Sequence, residues 1–192
     1  MEELINQMKK DYDKLFVIDR KEYVRLFEYL EIRTFSKGEV IKNHDEVEVV
    51  SRYVHSGEIA LYEYKSKDLL CRRIFNPQEI ACDFESYWSE SNSNILLKAF
   101  TDVKVSELAK FKEFEVIESI PEFAKLALRI NHRNTKIDHQ WRRLHWMDKK
   151  EAYKALQRLS SVFSLISVKD ISTILNIPER TVFRLRKELT KE

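Results

Sequence analysis

Residues 171–189 read "ISTILNIPERTVFRLRKEL". Ile171, Leu175, Ile177, Val182 and Leu185 are spaced as in two helices that cross tightly, and small Ser172 lets the second approach closely. Asn176 suits the left-handed turn conformation that glycine often takes, and Pro178 suits the start of a helix. The stretch therefore predicts a helix-turn-helix. On a helical wheel Val182, Leu185 and Leu189 point inward, while Arg180, Arg184, Lys187 and Lys191 gather on the opposite side. Any surface helix turns charge outward, and basic residues near a C-terminus suit the helix dipole. Here, however, the outermost stripe has a single sign, and Glu179 and Glu188 sit on its flanks. Such a face fits the major groove of duplex DNA, where arginine bonds guanine bidentately and Thr181 or the Phe183 ring meets a thymine methyl.

Charge distribution agrees with that reading. The whole chain of 192 residues is formally +2, yet residues 141–192 hold 12 Lys/Arg against 6 Asp/Glu, or +6, which leaves −4 for the rest. Positive potential thus belongs to the C-terminal quarter, as expected if only that part meets a polyanion. A hydrophobic content of 43% supports packed cores, and two glycines with three prolines leave no place for long flexible linkers.

Working back along the chain, residues 121–148 keep helical rhythm for roughly 30 residues after Pro121. Ala127, Ile130, Asn134, Ile137, Trp141 and Leu144 fall at alternating steps of three and four, the seam spacing of a two-stranded coiled coil. A lone Asn in such a seam is satisfied by its mate, so a homodimer is expected. The alternative packs this stripe on the chain's own strands, with Leu126 and Leu128 supplying intramolecular contact. A hinge between the long helix and the terminal unit is placed near Asp148.

Residues 1–120 divide into two parts. Leu4, Met8, Tyr12 and Leu15, then Tyr23, Leu26, Phe27 and Leu30 after Asp19, predict two opening helices. From residue 34 to about 109 the rhythm changes to short β-branched and aromatic runs broken by "SKG", "NHD", "HSG" and "KSKD". These read as antiparallel hairpins, with seven or eight strands in all, which suits a roll or jelly roll. The fold class expected is α+β: an antiparallel β-roll with flanking helices, a long dimerisation helix, and a helix-turn-helix over 149–192. Only three residues follow Leu189, so the expectation includes no room for a C-terminal wing.

Jelly rolls also house metal enzymes of the cupin type, but these need a close His-x-His pair with further ligands. His44 and His55 form no such pair, so no catalysis and no metal are expected. Cys71 and Cys82 are isolated and read as ordinary buried thiols, and no cofactor is expected. The opening "MEELINQMKKDYDKLF" is charged throughout and no apolar run reaches membrane-spanning length, so no membrane is expected and the cytoplasm is the expected location.

In this order the pieces resemble the Crp/Fnr superfamily of bacterial transcription regulators over essentially the whole chain. "FSKGEVI" resembles the family's opening strand and turn, "KAFTDVKVSELAKFKEF" its last roll strands and following helix, and "DISTILNIPERTVFRLRKEL" its DNA-reading unit. The resemblance implies a cyclic-nucleotide-binding-like sensory domain and places Glu179, Arg180 and Arg184 where family members contact bases. Members that bind cyclic AMP use a Gly-Glu-Leu-type turn for the ribose and an Arg-Ser/Thr-Ala stretch for the phosphate. The first aligns with Gln78-Glu79-Ile80 and the second with Ser93-Asn94-Ile95, making Glu79, Ser93 and Asn94 the ligand-pocket candidates. No arginine stands at the phosphate position, and burying a phosphodiester without a cation costs several kcal/mol. Control by cyclic AMP is therefore not expected, nor is an iron–sulfur cofactor, since the cysteine clusters of oxygen-sensing relatives are missing. Expected partners are duplex DNA and a second copy of the chain, with RNA polymerase allowed and the effector unknown. A roll that binds a ligand but not DNA is the competing reading.

Overall fold

Two four-stranded antiparallel sheets form a roll, in the order β1-β8-β3-β6 and β2-β7-β4-β5. The strands are β1 (Glu31–Phe35), β2 (Val40–Lys42), β3 (Val50–Ser56), β4 (Ile59–Lys65), β5 (Asp68–Phe75), β6 (Ile80–Ala81), β7 (Ile95–Ala99) and β8 (Val103–Ala109). The computed structural model describes residues 1–189, so Lys191 and any wing after Leu189 lie outside the described residues. Alternation along the strands sends Val54, Val105, Phe35, Leu97, Ile59 and Phe75 into the roll interior, which they fill. Tyr53 and Ser106 pair on the same ladder but face outward toward helices.

The turn signals marked strand ends correctly, but not strand partners. Only "KSKD" joins a paired hairpin, β4 with β5; "SKG" and "HSG" carry the chain from one sheet to the other. Local turn chemistry is the same for both connections, and the roll closes because long-range ladders win. Gly57 shows how tightly one crossing is held: its φ is +75°, and a Cβ there would stand 2.0 Å from the Asp102 carbonyl oxygen.

Helices α1 (Glu2–Tyr12), α2 (Arg20–Tyr29), α3 (Phe84–Ser89), α4 (Glu113–Ser119) and α5 (Glu122–Arg143) cover the outer face of the first sheet. Asp19 caps α2 by accepting from the Lys21 amide. Ile5, Met8, Tyr12, Tyr23, Leu26, Val116, Phe123 and Leu126 pack with Tyr53 beneath them. His55 ties α1 to the sheet, contacting Gln7 at 3.1 Å and the Ser106 hydroxyl at 2.6 Å.

Burial, with the Lys104 charge adding, pushes the His55 imidazole down to about 4. Below an ordinary value of 6.5 the unfolded chain takes up a proton that folded His55 refuses. Stability from this group is therefore complete above pH 6.5 and is lost as pH falls toward 4. The thermal midpoint is expected to drop across that window, and to drop less in His55→Gln; equal slopes for the two proteins would contradict the assignment.

The last elements are α6 (Lys149–Leu159), α7 (Val168–Leu175) and α8 (Glu179–Leu189). Their apolar faces share one core with the roll: Ala60, Cys71 and Ile74 from β4 and β5 meet Ala152, Tyr153, Leu156, Ile171, Ile174, Val182 and Leu185. The Thr173 hydroxyl also donates to the Cys71 carbonyl at 3.1 Å. Trp141 and Leu144 close this core, only 4% and 1% exposed.

Two residues of the expected dimer seam, Trp141 and Leu144, are buried in this core within one chain. Ala127, Ile130, Asn134, Ile137, Trp141 and Leu144 lie along the face of α5 turned toward the chain's own body, because the outer sheet and the terminal helices both need covering. Leu126 makes the anticipated intramolecular contact, whereas Leu128 is 71% exposed. The α-helix also stops at Arg143 and continues as a 3-10 turn to Trp146. Near the expected hinge, Asp148 caps α6 by accepting from the Lys150 amide.

Candidate nucleic-acid interface

Ser167 opens α7, its hydroxyl accepting from the Asp170 amide at 3.0 Å. Asn176 ends it in the left-handed conformation, φ 52° and ψ 48°, and the Ile177 amide donates back to the Ser172 carbonyl. Pro178 then leads into α8. Val182 and Leu185 seat α8 on Ile171, Ile174 and Leu175, while Arg186 donates to the Ile166 carbonyl at 2.9 Å and pins the helix from its flank. The turn and the inward face are as the sequence predicts.

The opposite face brings together Arg180, Phe183, Arg184 and Lys187, all exposed, with Glu179 at its start. Arg184 Nε stands 3.7 Å from a Glu188 carboxylate oxygen, an exposed pair that restrains the guanidinium only weakly. Thr181 is the exception: it is buried, so its methyl is not presented for a base as expected. Its place between Arg180 and Val182 turns it toward the helix's own support, a consequence of the 3.6-residue period that a reading of neighbouring exposed residues overlooks.

Each ligand-pocket candidate has hydrogen-bond partners within the chain. Glu79 accepts from Arg73 at 2.8 Å and from the Asn76 amide at 2.9 Å, and Arg73 also faces Asp138 at 3.5 Å. Ser93 donates to Asp83 and accepts from the Lys42 ammonium at 2.7 Å, within a buried Lys42–Asp83 pair. Asn94 donates to the Tyr64 carbonyl at 2.8 Å on the exposed turn before β7. All three are occupied by structural partners, and none lines either of the cavities described below. Arg73 and Lys42, the cations that occupy two of them, were not singled out in the sequence, because isolated basic residues within strands give no motif.

His44 is half-buried and stacks near Tyr64, well apart in role from buried His55. Among the described residues no group of three or more His, Cys, Asp or Glu side chains is placed to hold a metal ion, and no helix is long and apolar enough to cross a membrane. Cys71 and Cys82 are buried free thiols, both pushed up by burial.

Solved structures share this fold. The structure is similar to that of the c-di-GMP-responsive global regulator CLP of Xanthomonas campestris, with a TM-score of 0.68 and 15% identity over 90% of this chain and 92% of that one. A mutant of CooA from Carboxydothermus hydrogenoformans gives 0.65 at 13% identity, over 87% and 79% of the two chains. A CRP/FNR-family transcriptional regulator from Thermus thermophilus gives 0.61 at 17%, over 84% and 86%. At these identities the likeness is one of fold. No protein-family model and no curated protein matches the chain in sequence.

Proposed function

We propose that this chain is a sequence-specific transcription regulator of the Crp/Fnr type that binds duplex DNA as a homodimer. The observation that carries the reading is the uncovered cationic face of α8, held rigidly by α7 from behind. An exposed single-sign stripe on the second helix of a helix-turn-helix suits a groove lined by phosphates. The regulators that share the fold add support.

Because Trp141 and Leu144 of the inner stripe are buried in the chain's own core, the dimer is assigned to the outer stripe of α5. Leu128, His132, Thr135, His139, Arg142 and Trp146 succeed one another at steps of four and three, and all are exposed. Leu128 at 71% and Trp146 at 89% exposure place large apolar surface at its two ends. Two copies joined there carry their α8 helices to half-sites about one helical turn, roughly 34 Å, apart. Control by cyclic AMP is not part of the reading, because Arg73, the cation beside Glu79, is already paired with Glu79 and Asp138 and is not free to neutralise a phosphate.

Fluorescence anisotropy with a labelled duplex tests both parts. Wild-type affinity is expected to fall with salt, log K against log salt descending by about 0.9 for each neutralised phosphate. The Leu128→Glu/Trp146→Glu variant is expected to sediment as a folded monomer and to bind the same duplex at least about tenfold more weakly. A flat salt profile would defeat DNA binding, and a variant that remains dimeric would move the interface elsewhere. The competing ligand-binding scaffold predicts no binding of duplex even at low salt.

A further inference from the structure

We infer that a cavity outside the roll, between its first sheet and the helical layer, is a binding site for a small neutral amphiphile: an acyl or aryl chain ending in a hydroxyl, amide or ester. The cavity measures about 490 Å³, within the range of small-molecule sites. Tyr12, Leu26, Tyr53, Leu108, Phe123 and Ala127 are among its walls. It lies on the outward face of β3 and β8, whereas Val54 and Val105 on the inward face fill the roll. It is thus separate from Glu79, Ser93 and Asn94.

The lining fixes the chemistry. Among the described residues no Lys, Arg or His borders the cavity, and its one carboxylate, Glu113, already accepts from the Tyr87 hydroxyl at 2.5 Å. An anionic or cationic ligand would enter without a counter-ion, which burial penalises heavily. A second, more polar space of about 450 Å³ shares Phe84, Trp88, Asn131 and Asn134 with the first and continues to Thr135, Asp138, His139 and Arg142. Its charged groups face solvent: Arg142, 78% exposed, pairs with Asp138 at 2.7 Å, and His139 is exposed beside them. Apolar chain and uncharged head therefore each have a place.

Asn134 stands where the two spaces meet. The residue is 7% exposed and borders both spaces, and its side-chain amide opens into them rather than being sealed within the protein. An uncharged polar head seated there can take the amide's donor and acceptor in place of water. Trp88 and Leu128, both exposed, stand in the wall and give the chain an apolar approach.

The probe for the test is N-phenyl-1-naphthylamine, a neutral dye that brightens in apolar sites. The full chain is expected to enhance its fluorescence saturably, with 1-dodecanol displacing it and dodecanoate and cyclic AMP failing to do so. Ala127→Trp, which fills the cavity, is expected to abolish enhancement while circular dichroism and the thermal midpoint show a folded chain. Asn134→Leu keeps the walls apolar, so the dye still binds while 1-dodecanol displaces it about tenfold less well. Should Ala127→Trp not fold, the Asn134→Leu comparison decides alone. Absence of enhancement, equal displacement by dodecanoate, or unchanged 1-dodecanol competition in Asn134→Leu would overturn the inference. So would enhancement seen only in a Trp146→Glu monomer, whose substitution lies outside the cavity wall, which would mean that a second copy occupies the space. None of these outcomes depends on whether the chain binds DNA.

Discussion

Trp141→Glu is expected to unfold the protein, not to divide it into stable monomers. The indole is 4% exposed and belongs to the core in which Ala60, Cys71 and Ile74 of the roll meet Tyr153, Leu156 and Ile171 of the terminal helices. Removing it forfeits about 3–5 kcal/mol of packing, and the carboxylate that replaces it adds the cost of a buried charge without a partner. Against a typical total of about 5–15 kcal/mol, that loss leaves little folded chain at 25 °C. Urea unfolding followed by circular dichroism measures it. Trp141→Phe provides the scale: the indole N–H has no hydrogen-bond partner, so the milder variant loses volume but no satisfied donor, and about 1–2 kcal/mol is expected. A Trp141→Glu chain that is monomeric, folded and as stable as wild type would return the dimer interface to the inner stripe of α5.

The second large effect concerns α8. Arg184→Ala is expected to cost about 1–3 kcal/mol on a specific duplex, roughly 5- to 150-fold in affinity, and to relax preference at one base-pair position. The side chain is exposed and its contact with Glu188 is long, so the folded chain loses almost nothing when it is removed. Lys187→Ala should instead weaken all duplexes alike and reduce the salt slope by about one phosphate. The contrast carries the assignment: a base contact changes with sequence and a phosphate contact does not. If Arg184→Ala weakens specific and random duplexes by the same factor, Arg184 is a phosphate contact and base reading falls to Arg180 or Glu179.

Where sequence and structure agree, the signal was local. Asn176 before Ile177 and Pro178 carried the left-handed turn, and the inward spacing of Val182 and Leu185 carried the seating of α8. Asp19 marked the start of α2 in the same way. What the sequence does not show depends on partners distant in the chain. The α5 stripe has the same three-four spacing whether a second helix or the chain's own sheet lies against it, and periodicity does not distinguish them. Only the apolar faces of β4, β5 and α6–α8, brought together by folding, decide that Trp141 and Leu144 turn inward. Glu79 aligned with a ligand-binding turn, yet Arg73, six residues earlier on β5, takes its carboxylate. Thr181 lay within the exposed stretch by sequence but one step round the helix from the face that is open. Helix α3 gave no periodic pattern long enough to read; Asp83 closes its start by accepting from the Ser86 amide.

Selection of bound sites from a random duplex library, at low salt and with purified full-length protein, addresses the proposal of paired α8 helices reading DNA most directly. The expected product is a twofold-symmetric site whose halves lie about one helical turn apart, enriched by wild type and not by Arg184→Ala. Recovery of no sequence above the starting pool, or of a site without symmetry, would contradict it.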